Sequence, residues 1–484
     1  MRGNEKQGQK QSTHVANILY AFLMKRRQFL AGLAPALVGL GQASRPNILF
    51  LFTDDQRYDL MSCAGHPILR TPNIDRIASQ GTRFENNFCS TAICCTSRAT
   101  VLTGLHEKSH RISDFKTPLS PALEALSYPV LLRQAGYRTG FVGKYGVGGD
   151  EAPQHLFDKT YGPPGVEAPG QSRKFGQHAI DFLDTAKAGE SFYLSLHFRA
   201  PHARDPDPQQ YLYDPEEAEL FRGQTMPISE KAKDRRYFER LPASVKESES
   251  YVRWKKRFTN PEHYQESVRS YFRLIAGVDS VVGQVLAKLE AKGLAGNTVV
   301  VFSSDNGYFL AERGLADKWY AYEESIRTPL LIADPRLPAS LRGQRRTEMT
   351  LNLDLSPTFL SVAGVTVPAA VQGRNLLPLV RGEEPAWRRE WFYSHLFPGF
   401  PPKVTIPKSE GLRTERWKYI RWIEEKPVRE EVYDLRQDPG ELKEVDSARV
   451  RAQLAKRWQV WREAVEAWTP ATRWQDPKPV EVRS

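Results

Sequence analysis

The sequence predicts an α/β fold: a largely parallel sheet flanked by helices, followed by a smaller C-terminal α+β subdomain. Three observations predict it. Short apolar runs at 48–52, 137–142, 191–197 and 298–303 alternate with helical patterns, as expected of parallel strands joined by crossover helices. The segment 261–292 sets Ile275, Val278, Val282, Val285, Leu286 and Leu289 at three- and four-residue spacing, the stripe of a long helix lying on a sheet. From about residue 386 the pattern turns to short strands, 391–394, 417–422 and 432–435, closed by a helix over 447–467.

Each element carries its own signals. The helix at 72–80 has Thr71 as its expected N-cap, Pro72 in the first turn and Gly81 just past the end. Residues 203–260 are rich in Asp, Glu, Lys, Arg and Pro and read as an inserted, mostly solvated surface segment that shapes a pocket rim. Around 362–368 the pattern becomes loop-like. The expected division is a leader over 1–43, a main domain over 44–385 and a C-terminal subdomain over 386–484.

The 484 residues exceed the length at which one core stops growing. With 40% hydrophobic and 26% charged residues, the chain reads as globular, neither disordered nor membrane-embedded. Its four cysteines, Cys63, Cys89, Cys94 and Cys95, crowd into one stretch without metal-finger spacing, which argues against a disulfide scaffold. Residues 1–43 hold six of the cations and one acid, so the remainder carries +6 of the total +11. A moderate positive charge suits an anionic substrate without specifying one. No repeat and no basic run interleaved with aromatics supports nucleic-acid binding.

The basic segment that opens at Met24 and the short apolar stretch 29–40, ending before Gly41-Gln42-Ala43, read as a signal peptide too short to anchor the protein in a membrane. The pair Arg26-Arg27 resembles a twin-arginine export signal, with a general secretory signal as the alternative. Export to the periplasm or the outside is the expectation, with Met24 as the expected true start.

The chemistry-bearing residues sit at strand ends. Asp54-Asp55 follow the run 48–52, and Asp305-Asn306 follow the run 298–303. Ligands gather at the carboxyl ends of strands in open α/β sheets, so the two pairs together offer an all-oxygen set for a hard cation, Ca²⁺ or Mg²⁺. Singly, each pair is more often a turn or a helix cap. A third stretch, Cys94-Cys-Thr-Ser-Arg98-Ala-Thr-Val-Leu-Thr-Gly104, leads into a helix whose first turn favours an anion. Arg98 lies four residues after Cys94, so one helical turn brings both side chains to one side; a buried cysteine followed by a solvent-facing arginine is the plainer alternative.

These blocks resemble the type I, formylglycine-dependent sulfatases of the alkaline-phosphatase superfamily. The likeness is carried by Arg45-Pro-Asn-Ile-Leu-Phe-Leu-Phe-Thr-Asp-Asp-Gln56, by Cys-x-x-Ser-Arg-Ala-x-x-Leu-Thr-Gly and by Ser304-Asp-Asn-Gly-Tyr-Phe-Leu310. Further matches are Thr71-Pro-Asn-Ile-Asp75, Gly143-Lys144, Ala200-Pro-His202, Lys318-Trp-Tyr-Ala-Tyr-Glu323, Ile326-Arg-Thr-Pro329 and the stretch 412–421. The resemblance implies a large mixed, mainly parallel sheet and hydrolysis of a sulfate ester, with a sulfated carbohydrate as the substrate class. It implies that a formylglycine-generating enzyme oxidises Cys94 to the nucleophile. Asp54, Asp55, Asp305 and Asn306 match the ligands of a Ca²⁺ ion, or of Mg²⁺ as the alternative, with the residue at Cys94 itself facing the cation. Arg98 and Lys144 match residues that hold the nucleophile; His202 and Lys318 match those at the sulfate and its bridging oxygen. Two departures stand out. Gly146 replaces a histidine that family members use to deprotonate the nucleophile, which turns attention to His197, His106 or His110 as a substitute base. Thr96 replaces the commoner Pro or Ala of the modification signal. Alternatives are a phosphomonoesterase or phosphodiesterase of the same superfamily and an inactive glycan-binding homologue. His395 and the 203–260 insertion are the expected sugar-pocket residues.

Overall fold

The computed structural model describes residues 45–162, 168–187, 189–397, 399 and 405–483; the expected leader over 1–43 lies outside the described residues. Eight strands form the main sheet: β1 (Asn47–Asp54), β2 (Thr82–Phe84), β3 (Arg138–Gly143), β4 (Lys159–Tyr161), β5 (Phe192–Pro201), β6 (Thr298–Ser304), β7 (Leu330–Ala333) and β8 (Gln344–Arg346). Their order across the sheet is β8-β2-β7-β6-β1-β5-β3-β4. β1 pairs in parallel with both β5 and β6, while β7 runs antiparallel to β6 and β2. The sheet is therefore mixed and mainly parallel.

The helices that matter are α1 (Pro72–Gln80), α2 (Cys94–Thr103), α3 (Gln171–Asp184), α4 (Pro261–Ala291), α5 (Leu355–Val362) and α6 (Ala448–Glu466). Every residue of β1 is buried, and its side chains alternate between two cores because successive residues of a strand point to opposite faces. Ile48, Phe50 and Phe52 join Ala99 and Leu102 of α2 and Phe359 of α5. Leu49 and Leu51 join Ile74 and Ile77 of α1, Phe182 of α3 and Val278, Val282 and Val285 of α4. Cover on both faces explains why β1, β5 and β6 read as continuous apolar runs.

α1 begins where expected, but Thr71 does not cap it with its side chain. The Thr71 hydroxyl is taken up by Asp75, at 3.0 Å. The free N–H groups of Asn73 and Ile74 are accepted instead by Asp279 of α4, at 3.0 and 2.8 Å, so a tertiary contact replaces the local cap. The 203–260 segment departs from expectation as well. It contains fully buried Tyr211 and Arg257, and the Arg257 guanidinium donates to Gln210, Tyr308, Asp317 and Asp205. Part of the insertion is thus a buried charged layer over the site.

At the C-terminal end, β9 (Glu390–His395), β10 (Ser409–Thr414), β11 (Trp417–Trp422) and β12 (Arg429–Asp434) make an antiparallel meander. One face packs on α6 through Phe392, Leu412, Tyr419 and Val432. The other carries Trp391, Tyr393, Ile420 and Trp422 against Ile93, Cys95 and Trp319, which places this sheet directly behind the start of α2. Among the described residues no helix is long and apolar enough to cross a membrane.

Candidate active site

Three strand or helix ends converge. Asp54 is the last residue of β1, Asp305 and Asn306 follow β6, and Cys94 opens α2. One ligand atom from each of Asp54, Asp55, Cys94 and Asp305 lies within 4.8 Å of the others, all buried. The Cys94 thiol donates to Asp54 Oδ1 at 3.2 Å. Asp55 adopts φ 69°, a left-handed conformation that costs a non-glycine residue of order 1 kcal/mol or more. Its surroundings hold it there: its own N–H donates to Asp305 Oδ1 at 3.1 Å, the Gln56 N–H donates to Ser304 Oγ at 2.9 Å, and the Tyr271 hydroxyl donates to its carbonyl.

Cations enter from three directions. Arg98, one turn along α2, donates from Nε to Asp305 Oδ2 at 2.9 Å and from Nη1 to the Lys144 carbonyl at 2.6 Å. Its Nη2 lies 2.9 Å from Asp305 Oδ2 and 3.6 Å from Asp54 Oδ2. Lys144, just past β3, bonds Asp54 Oδ2. Lys318 reaches both oxygens of Asp55, at 2.6 and 2.7 Å, from a loop whose flanking residues Asp317 and Trp319 have φ of 66° and 85°. His202 follows β5, with Nε2 3.7 Å from Asp55 Oδ2 and a ring nitrogen within 4.8 Å of Cys94 Sγ and an Asp54 oxygen. The structure therefore brings all nine sequence-predicted residues together.

Glycine is required at two points here. Gly143 has φ +97°, and a Cβ there would sit 1.9 Å from the His197 carbonyl oxygen. At Gly146, φ is +76° and a Cβ would meet Arg98 Cδ at 3.0 Å and Lys144 Cε at 3.7 Å. A side chain at 146 on this backbone would crowd Arg98 and sit in van der Waals contact with Lys144. None of the three histidines considered as a substitute base lines the pocket at Cys94. His106 packs edge-on against Phe392 and Trp461; His110 shares a hydrogen bond with Thr100 Oγ1 at 3.1 Å, on the far side of α2; His197 sits behind Arg98. The histidine that reaches Cys94 is His202.

The electrostatics define what this set can do. Burial raises Asp54, but Lys144, His202, Arg98 and Lys318 outweigh it and hold this carboxyl well below the usual range. Asp55 is pushed up to about 7 by burial, with Asp54 and Asp305 adding to the rise against Lys318. Asp305 is raised by burial and by Asp54. Burial and the Asp54 charge push the Cys94 thiol well above its ordinary value, so the unmodified cysteine is a poor nucleophile. Three crowded carboxylates face three cations, yet Asp55 and Asp305 stay raised, and among the described residues Asn306 Oδ1 is buried with no donor while its Nδ2 bonds Asp55. An unpaired amide oxygen beside carboxylates fits a hard divalent cation. Asp54, Asp55, Asp305 and Asn306 are the residues that would hold it.

Above the site lies a cavity of about 460 Å³ lined by Cys94, Lys144, His202 and Lys318 at its base. Phe115, Trp319, Phe397 and Ile406 make an apolar wall, with Asp150, Arg199, Asp205 and Arg253 around it. Asp150 pairs with Arg199 at 2.6 Å and Asp205 with Arg253 at 2.9 Å. Asp205 and Arg253 belong to the expected insertion. His395 does not line the cavity: it is fully buried, carried on β9 two residues before Phe397, which does. Arg199 had one sequence signal, a charge inside the apolar run of β5; Phe115 and Phe397 had none.

The fold and this carboxylate centre define a hydrolase of the alkaline-phosphatase-like class. Residues 46–365 match the family model described as Sulfatase, and residues 311–465 match that of N-sulphoglucosamine sulphohydrolase, C-terminal. The chain belongs to the sulfatase family and is a sulfatase enzyme. It is 29% identical to an N-acetylglucosamine-6-O-sulfatase of Bacteroides thetaiotaomicron over 91% of this chain and 89% of that protein. It is 26% identical to human N-acetylglucosamine-6-sulfatase, over 76% and 70% of the two chains. A solved structure described as being in complex with its substrate D-glucosamine-2-N,6-O-disulfate superposes with a TM-score of 0.74 at 27% identity, covering 87% of this chain and 98% of that one. The phosphonate monoester hydrolase of Agrobacterium radiobacter shares the fold, with a TM-score of 0.72 at 22% identity over 87% and 96%.

Proposed function

We propose that this sulfatase hydrolyses a sulfate ester on a sulfated carbohydrate, with Cys94 converted to formylglycine as nucleophile and Ca²⁺, or Mg²⁺, held by Asp54, Asp55, Asp305 and Asn306. The observation that carries the reading is the placement of Cys94 at the first turn of α2, its Sγ 3.2 Å from Asp54 and beneath a sugar-sized cavity. When present, formylglycine supplies one hydroxyl for attack on sulfur and a second whose deprotonation releases sulfate. The cation supplies charge neutralisation and orientation for the carboxylates and the sulfate oxygens.

The chain's own residues do the rest. Arg98 and Lys144 hold the nucleophile against Asp54. Lys318 and His202, at the base of the cavity, hold the ester, and one of them gives the departing alcohol oxygen its proton, since a developing alkoxide leaves poorly unless protonated or paired. One water is consumed per ester, yielding alcohol and sulfate. The apolar wall offers a face for a sugar ring, and the Asp150–Arg199 and Asp205–Arg253 pairs offer donors and acceptors for its hydroxyls. The relatives named for N-acetylglucosamine sulfates support an amino sugar as the first class to test. We further assign residues 1–43 to an export leader, 44–385 to the catalytic domain and 386–484 to a C-terminal subdomain.

The test has two parts. Protein made alongside a formylglycine-generating enzyme is digested, and the Cys94 peptide is expected to lose sulfur while Cys95 keeps it. The same protein is then assayed for sulfate release from a panel of sulfated sugars and for aryl sulfate against aryl phosphate. Modification at Cys95 would overturn the assignment of the nucleophile, and faster turnover of aryl phosphate than of aryl sulfate would favour the phosphoesterase reading instead.

A further inference from the structure

His197 lies on β5 behind the site, 4% exposed, with its ring against Phe50, Phe52 and Phe141 at centroid distances of 5.4, 4.9 and 4.6 Å. Its Nδ1 is 3.1 Å from Arg98 Nη1 and 3.2 Å from the Lys144 carbonyl oxygen. Its Nε2 is 2.7 Å from Ser195 Oγ. A guanidinium has donors and no acceptor, so Nδ1 meets Arg98 as the accepting nitrogen, and the Lys144 carbonyl takes its shorter hydrogen bond, 2.6 Å, from Arg98 Nη1 rather than from the ring. The ring proton then sits on Nε2 and is donated to Ser195 Oγ. Ser195 is anchored in turn by the Tyr193 hydroxyl at 3.2 Å, which meets the Tyr128 hydroxyl at 2.7 Å. Burial and the Arg98 charge both keep this imidazole neutral.

The bond pattern of Arg98 shows what this achieves. Nη1 has two N–H groups; one goes to the Lys144 carbonyl and the other to His197 Nδ1. Nε is taken by Asp305 Oδ2. Among the described residues Nη2 makes no well-directed hydrogen bond, but it is ion-paired between two carboxylates, 2.9 Å from Asp305 Oδ2 and 3.6 Å from Asp54 Oδ2. Three of the five donors are fixed by hydrogen bonds, and Nη2 is held between the Asp305 and Asp54 carboxylates beside Cys94. Without an acceptor at His197, one Nη1 donor would be buried and unpaired, which favours rotation of the whole group.

We propose that His197 is a positioning residue: as a neutral imidazole protonated on Nε2, it accepts from Arg98 Nη1 and so fixes the guanidinium with Nε on Asp305 and Nη2 between the Asp305 and Asp54 carboxylates, beside the nucleophile at Cys94. This rests on the assignment of Arg98 to the reacting centre. It also accounts for a histidine so close to the site that cannot reach Cys94: both its ring nitrogens are committed, one to Arg98 and one to Ser195.

The test compares wild type, Arg98→Ala, His197→Asn and His197→Phe, each carrying formylglycine, for kcat and KM on an aryl sulfate and for Ca²⁺ affinity by chelator competition. An asparagine Oδ1 can stand where Nδ1 stood, whereas phenylalanine fills the ring space without an acceptor. His197→Phe is expected to lower kcat by roughly 10- to 100-fold and to weaken Ca²⁺ binding by a similar factor through Asp305, the range typical of residues that orient ligands. KM should change by less than about threefold, and His197→Asn should recover most of both losses. If Arg98→Ala keeps wild-type kcat, the assignment of Arg98 is wrong; if Arg98→Ala is inactive while His197→Phe matches wild type, or if Asn and Phe lose equally, the role of His197 is wrong. Histidine ¹⁵N resonances of wild-type protein give a readout free of any variant's folding: His197 should show one protonated nitrogen, Nε2, throughout pH 5–8, and a proton on Nδ1 or a doubly protonated ring would overturn the proposal.

Discussion

Asp317 and Lys318 are neighbours in the chain but belong to two buried charge clusters of different kinds. Asp317 faces Arg253 and Arg257; burial alone would raise its carboxyl, yet the two guanidinium groups hold it well below the usual range. Arg257 places its donors on Asp317, Asp205, Gln210 and Tyr308. That cluster is closed. Lys318 faces Asp55, which stays pushed up to about 7 because burial, with Asp54, Asp305 and Asp317 adding to it, outweighs the lysine, and among the described residues the adjacent Asn306 oxygen has no donor. This cluster is open: Arg98, Lys144 and Lys318 match its three carboxylates in number, yet Asp55 and Asp305 stay raised. Buried ions are retained either because they are fully paired or because something else completes them, and the two cases sit side by side here.

Asp305→Ala removes a carboxylate from the open cluster and should cut kcat by about 10³-fold or more. In chelator the midpoint of unfolding should fall by less than for Asp317→Asn, since the loss of one like charge offsets the unpairing of Arg98. A large loss of stability without a loss of activity would reverse the assignment of the two clusters. Asp317→Asn strips the closed cluster and leaves Arg257 under-paired, so unfolding stability should fall by about 3–5 kcal/mol. Equilibrium denaturation checks this, and an unchanged midpoint would show that the network is not a structural pair. Chelation of the wild type should lower both activity and melting temperature, and Ca²⁺ at about 100 times its Kd should restore about 2.7 kcal/mol. A melting temperature indifferent to chelator would mean that the open cluster holds no cation.

A smaller effect separates the site from the core behind it. Burial lowers His106 to about 4 and His110 and His395 to about 3, so each is neutral when folded and takes up a proton on unfolding below the ordinary histidine value near 6.5. Their contribution is complete above that value and is lost as pH falls toward 4, at roughly 1 kcal/mol each by pH 5.5. His110→Phe should flatten the dependence of the unfolding midpoint between pH 7 and 5.5. An unaltered slope would show that His110 does not titrate on unfolding.

Much of this arrangement was legible because the chemistry sits at strand ends. β1, β5 and β6 are buried on both faces and so appear as apolar runs, and the carboxylates that follow β1 and β6 mark where a ligand belongs. Cys94 and Arg98 were legible from one helical turn. Lys144, His202 and Lys318 came only through the family resemblance, since loops deliver them from distant parts of the chain and no spacing records their meeting. β7 escaped notice because Leu330–Ala333 is four residues long, too short for periodicity to show, and its antiparallel direction is a tertiary fact. The Thr71 cap failed for a similar reason: Asp279, some two hundred residues away, took its place. His106 and His110 lie near Cys94 in sequence, but the helix that follows Cys94 carries them to its far side. The wall residues Phe115 and Phe397 are ordinary aromatics in sequence, and only the cavity gives them a role.

The central claim is that the open cluster, and not its neighbour, is built to hold a divalent cation. Isothermal titration of Ca²⁺ into chelator-stripped protein tests it most directly, on wild type, Asp54→Ala and Asp205→Asn. The expected result is one cation bound per wild-type chain, the same stoichiometry for Asp205→Asn, and no binding for Asp54→Ala. Binding by Asp54→Ala equal to wild type, or its loss in Asp205→Asn alone, would contradict the account.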